Sequence, residues 1–137
     1  MDGADGMSKR QRIAQTLATV GCLVVLVGSG LHLRGGYPII SAALTKSNLD
    51  ESIRNALRAV FLMIGMTWIG LALVTLIATF AISRTSKPVI FLCGCVLVLQ
   101  VPIWVELMGW FVGNEMFLLG AGLIVSGGLL FQTWRLA

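Results

Sequence analysis

Glu106 sits near the end of a run from Val89 to Val112, VIFLCGCVLVLQVPIWVELMGWFV, that is otherwise long and apolar enough to cross a bilayer. A carboxylate inside hydrocarbon costs about 3 kcal/mol on insertion scales, so it requires a partner, a water-filled cavity or a chemical task. The counter-charge that the chain offers is on the preceding apolar run, where Arg54 and Arg58 stand four apart on one helix face. Like charges at that spacing repel, which calls for an acid from another element or an anionic group. With residue 100 as the middle of its span, Glu106 is expected about 9 Å from the midplane. An arginine side chain pointing down from Arg58 then reaches it. Three chemistries fit: an ion pair that fixes helix register, a ligand pocket lined by Glu106, Arg58, His32 and Trp110, or proton- or ion-coupled transport through Glu106.

Pro102 lies four residues before Glu106 and lacks an N–H, so it frees the carbonyl of Val98 and tends to bend the helix. Leu99, Pro102, Glu106, Gly109 and Gly113 form one stripe of the third span; Gln100 and Trp104, four apart, form another. At least one of these two polar faces must point into the bundle or at a partner.

Other chemistry finds little support. A single histidine, His32, makes no metal or haem site without further ligands, and Met63 and Met108 read as core. Cys22, Cys93 and Cys95 are odd in number and lie inside apolar runs, where small packing residues belong. Cys93 and Cys95 point about 200° apart on a helix and do not chelate one ion. The chain has no phosphate loop, no H-E-x-x-H and no nucleophile elbow, so no catalytic residue, metal or cofactor is assigned and the reading leans away from an enzyme.

The elements that position these residues follow from composition. Of 137 residues, 57% are hydrophobic and 12% charged, with a mean hydropathy of +0.91, against about half and about a quarter in soluble domains. The solvent of this chain is lipid. The fold expected is all-α, a four-helix transmembrane bundle, with spans over 13–33, 56–82, 88–112 and 116–134 in one domain of residues 13–135. Residues 1–12 form a disordered cytoplasmic N-terminus. The first run is too long for the hydrophobic core of a secretory signal and reads as a retained span. Gly21 and Gly28, seven apart, predict a close-packing groove on it. Gly35, Gly36 and Pro38 predict a tight exit, followed by a short interfacial helix through Ile39, Ile40, Ala43 and Leu44. Asn48 and Glu51 have capping-box spacing at the start of the second span, and Thr67 and Thr75 are placed to bond back to that helix. Gly113 to Glu115 read as a tight turn, and Gly122 and Ser126 of the fourth span have small-xxx-small spacing.

Basic residues set the orientation. Lys9, Arg10, Arg12, Arg84, Lys87 and Arg135 fall on one side and Arg34, Lys46, Arg54 and Arg58 on the other, which places both termini in the cytoplasm. His32, Arg54, Arg58, Glu106, Trp110 and Asn114 then collect at the outer end, above an inner half that reads as almost entirely apolar.

The run NLDESIRNALRAVFLMIGMTWIGLAL, a charged segment leading into a glycine-containing helix through Arg54, Arg58, Ala59 and Gly65, resembles the four-span bacterial membrane proteins of the DoxX-like group. That resemblance implies a four-helix inner-membrane bundle, some of whose members are small subunits associated with quinone-linked respiratory enzymes. It carries over no functional residue. The function expected is that of a packing or accessory subunit in a homo-oligomer or larger membrane complex, surrounded by lipid and with no nucleic-acid partner. The alternative is binding or transport of a small molecule, lipid or ion at Glu106 and Arg58, with Arg54, His32, Trp110 and Gln100 nearby.

Overall fold

In a computed structural model, which describes residues 7–81, 83–108 and 112–132, the chain is an all-α bundle. Its elements are α1 (Lys9–Leu31), a π-helical turn (His32–Gly36), α2 (Tyr37–Thr45), α3 (Glu51–Ala81), α4 (Ser86–Met108) and α5 (Val112–Leu130). Because α1, the π turn and α2 run on without a break, there are four rods, each long and apolar enough to cross a bilayer. The chain is an integral membrane protein. The rods form a ring in which α1 packs on α5 and α3, and α4 packs on the same two.

The first helix starts earlier than the apolar run suggests, because Ser8 caps it by accepting the N–H of Gln11 at 3.2 Å. Its far end does not stop at the glycines. Proline clashes with the carbonyl four residues back and lacks a donor, but widening the preceding turn avoids both penalties. Here Tyr37 N–H reaches back five residues to His32 O, and Pro38 falls in the first turn of α2. The expected separate interfacial helix is therefore a continuation of the first span. Two further boundaries differ from expectation. α3 begins at Glu51, so the capping position falls on Asp50 rather than Asn48. Gly113 to Glu115 lie within the first turn of α5 rather than in a turn between helices.

Side-chain size decides how the rods approach. The buried stripe of α3 is Phe61, Gly65, Trp68, Ala72, Thr75 and Thr79, alternating four and three apart as one helix face requires. Its bulky rings, Phe61 and Trp68, flank Gly65 at one end, and the other end holds only Ala72, Thr75 and Thr79. The stripe of α1 opposite is small as well, with Ala14, Ala18, Gly21 and Cys22. The helices therefore close tightly over that half. A Cβ at Gly21 would fall 2.6 Å from the carbonyl oxygen of Gly120, one at Gly127 would fall 2.9 Å from Ala14 O, and one at Gly128 would fall 2.7 Å from Phe91 N. Gly120, Gly127 and Gly128 of α5 are thus consumed within the chain itself, whereas among the described residues a Cβ at Gly122 would meet nothing within 4 Å.

The same half is not purely apolar. Ser8 Oγ donates to Gln132 Oε1 at 2.7 Å, Gln132 N–H donates to Gln11 Oε1 at 2.8 Å, and Gln15 Nε2 donates to the Thr79 carbonyl at 3.1 Å. The first two bonds clasp the start of α1 to the residue pair after α5, and the third ties α1 to α3. Thr67, Thr75 and Thr79 satisfy their hydroxyls on carbonyls four residues back, as the sequence leads one to expect for the first two.

Candidate functional site

The opposite end, where α2 and the start of α3 form a hairpin, is splayed by its aromatic residues. Phe61 and Trp68 come from α3, Trp104 from α4, Phe117 from α5 and His32 from the π turn. His32 stacks on Phe61 with centroids 3.9 Å apart and planes 15° apart. It lies 4.8 Å from Trp68, which in turn meets Phe117 at 4.4 Å and Trp104 edge-on at 5.9 Å. Rings of this size cannot interdigitate as glycine and alanine do, and they enclose a cavity of about 400 Å³. That volume lies within the range of small-molecule sites.

Two polar contacts hold the rings in place. Trp68 Nε1 donates to Gln100 Oε1 at 2.6 Å, which ties α3 to α4 just below the cavity. His32 Nε2 lies 3.4 Å from the Phe61 carbonyl; because a carbonyl only accepts, this nitrogen carries the proton and Nδ1 is left as an acceptor. Gly36 is needed here, since a Cβ would lie 3.0 Å from the Phe61 ring. Of the two polar stripes of α4, it is therefore the one with Gln100 and Trp104 that faces inward.

The stripe with Glu106 faces out. Leu99 and Ile103 are 69% and 58% exposed, and Pro102 and Glu106 are exposed beside them. α4 spans Ser86–Met108, so its middle is near residue 97 and Glu106 lies about 13 Å from it, just inside the edge of a hydrocarbon half-layer of about 15 Å. Arg58 does not pair with it. Its guanidinium turns up along the hairpin, donating to Thr45 Oγ1 at 2.7 Å, Asn55 Oδ1 at 3.0 Å and the Ser41 carbonyl at 3.4 Å. The expected ion pair is thus replaced by an arginine that staples α2 to α3. Arg54 is half-buried in the same hairpin, outside the cavity lining. Of the residues singled out from the sequence, His32 lines the cavity and Gln100 braces it, while Glu106, Arg58 and Arg54 stand apart from it; Trp110 lies outside the described residues.

Comparisons with family models, curated proteins and solved structures find no match to this chain. The likeness to the DoxX-like group rests on its sequence run alone.

Sequence reasoning passed over Phe61, Trp68 and Phe117, while Asn114, placed at the outer end from the sequence, is buried in the lining. The readable signal is the alternating four and three spacing of the α3 stripe, with rings at one end and hydroxyls and alanine at the other. Among the described lining residues there is no carboxylate, lysine or arginine. Among the described lining residues no nucleophile stands beside a base, and the arrangement can bind and orient a molecule.

Proposed function

We propose that this protein binds a small, uncharged, membrane-dissolved amphiphile in the aromatic cavity at the hairpin end of the bundle. The observation that carries the reading is the lining itself, which is five aromatic or imidazole rings with no formal charge among the described residues. A charged ligand entering it loses its hydration without a counter-ion, a cost of several kcal/mol. Cation–π attraction from the rings returns about 2 kcal/mol at best. A neutral molecule avoids that deficit and gains apolar burial at about 25 cal/mol per Å². Of the residues that line the cavity, Trp104, an indole N–H donor, and His32, an acceptor at its second ring nitrogen, are the groups proposed to meet its polar end.

In this proposal the hairpin faces the outside of a bacterial inner membrane and both termini are cytoplasmic, supported by Lys9, Arg10, Arg12, Arg84 and Lys87 at the clasp end. The test is thermal stability of the purified protein with three probes of equal chain length: a long-chain primary alcohol, the matching amine and the matching carboxylate. At a hundredfold excess over Kd the alcohol is expected to stabilise by about 2.7 kcal/mol, the charged pair much less, and Trp104→Leu to remove the difference. Equal stabilisation by all three, or none by the alcohol, overturns the proposal.

A second reading, that of a packing subunit in a homo-oligomer or larger complex, is favoured by one observation. Gly122 and the exposed Ser126 keep their small-xxx-small spacing unused on the outside of α5. Gly122→Leu is expected to convert any oligomer to monomer without affecting alcohol binding, and an unchanged oligomeric state removes this reading.

A further inference from the structure

α1 and α5 form the most extensive helix pair of the bundle. At Gly21 and Gly120 the backbones are in contact, and a Cβ on Gly120 would meet Val25 and Val24 within 3.1 Å. Gly28 lies seven residues beyond Gly21, on the same face of α1. A close contact is expected there, yet among the described residues a Cβ at Gly28 would meet nothing within 4 Å. Gly28 is nevertheless part of the cavity lining, together with Leu31 and Ile39 on its own rod and Gly113 and Met116 across the gap on α5. Leu31 and Ile39 are 61% and 71% exposed, so this side of the cavity is open rather than walled. From the basic residues at the start of α1, Gly28 is about 16 to 19 residues up the helix, a rise of about 24 to 28 Å. That height is still inside a hydrocarbon layer of about 30 Å. The opening therefore faces lipid, and an apolar mouth at that depth admits only what is dissolved there.

We infer that the gap between α1 and α5 at Gly28 is a lateral entrance, through which an uncharged amphiphile passes from the leaflet at the hairpin end directly into the aromatic cavity. This rests on the proposed binding function and adds the source of the ligand: the bilayer, not the water above it. The absence of a side chain at Gly28 is what keeps the entrance open. A leucine there has room to fold and would project into the gap.

The experiment follows tryptophan quenching in vesicles, in a background of Trp110→Phe and Trp134→Phe, so that Trp68 and Trp104 report. The probe is a neutral long-chain alcohol brominated at its tail. Gly28→Ala is expected to slow the onset of quenching severalfold and Gly28→Leu at least tenfold. Gly122→Leu, at an equally open position away from the cavity, should keep the parent rate. The alanine variant covers the case in which leucine perturbs folding, which circular dichroism checks. Quenching at the parent rate in both Gly28 variants overturns the lateral entrance and leaves the cavity reading intact. No quenching in the parent overturns the cavity reading, and the entrance with it.

Discussion

One face of α1 meets two different surroundings within two turns. At Gly21 a Cβ would lie 2.6 Å from the Gly120 carbonyl oxygen; at Gly28 it would touch nothing within 4 Å. At the clasp end the faces of α1 and α3 are built from alanine, glycine and hydroxyl residues that let backbones meet, beside the buried side chains of Ile90 and Phe131, and the end is tied by Ser8, Gln11, Gln15 and Gln132. The hairpin end is built from His32, Phe61, Trp68, Trp104 and Phe117, which hold the same rods apart. In lipid no hydrophobic driving force pulls helices together, so contact depends on how closely side chains allow them to approach. Facing stripes on α1 and α3 whose side-chain volume is graded along the axis therefore leave the bundle tight at one end and hollow at the other.

The sharpest way to break this comparison is to exchange the two glycine environments. Gly21→Leu forces a side chain against backbone that cannot yield and should cost about 3 kcal/mol, the upper end for overpacking, seen as failed accumulation or a large fall in Tm. Gly28→Leu should change Tm by less than about 0.5 kcal/mol equivalent, as substitutions in open positions do. Equal losses at the two sites would show that the gap is not there.

Trp68→Phe comes next. It leaves Gln100 Oε1 below the cavity without its donor, at about 2 kcal/mol, and adding Gln100→Leu should recover most of that loss in a double-mutant cycle measured by thermal melting. Additive losses would mean that the pair does not brace the site. Arg58→Met removes the staple between Thr45 and Asn55, and its effect should be local. Amide exchange across Tyr37–Thr45 is expected to quicken while global stability falls by about 1 kcal/mol or less. Smallest of all is Glu106→Gln, which should alter stability by less than about 0.5 kcal/mol because the carboxylate is exposed at the hydrocarbon edge. A loss above 2 kcal/mol there would restore Glu106 to the interior.

What the sequence disclosed and what it hid divide along physical lines. Four spans follow from hydropathy and length, which bilayer thickness fixes, and Thr67 and Thr75 bond back as their place in a helix demands. Gln100 and Trp104 were visible as a polar stripe, but which of the two α4 stripes faces inward depends on neighbours that periodicity along one helix does not specify. Glu106 drew attention because charge in a span is costly, and that cost falls once the helix limits place it near the edge, where its side chain is exposed. The run through Gly35, Gly36 and Pro38 reads locally as a break; one extra residue in the turn, bonded from Tyr37 to His32, turns it into a continuation. The cavity itself was hidden because aromatic residues at helical spacing read as filled core, and whether rings from four helices fill or enclose space is a property of all four.

The most direct measurement of the central claim is the depth at which the cavity opens. With Trp110→Phe and Trp134→Phe in place, the chain is reconstituted in vesicles whose phospholipids carry bromine either near the headgroup or near the chain end, and aqueous iodide is tested in parallel. The account predicts strong quenching of Trp68 and Trp104 by the shallow bromines, weak quenching by the deep ones and little by iodide. Strong quenching by iodide, or none by either lipid, would contradict a cavity that opens sideways into one leaflet.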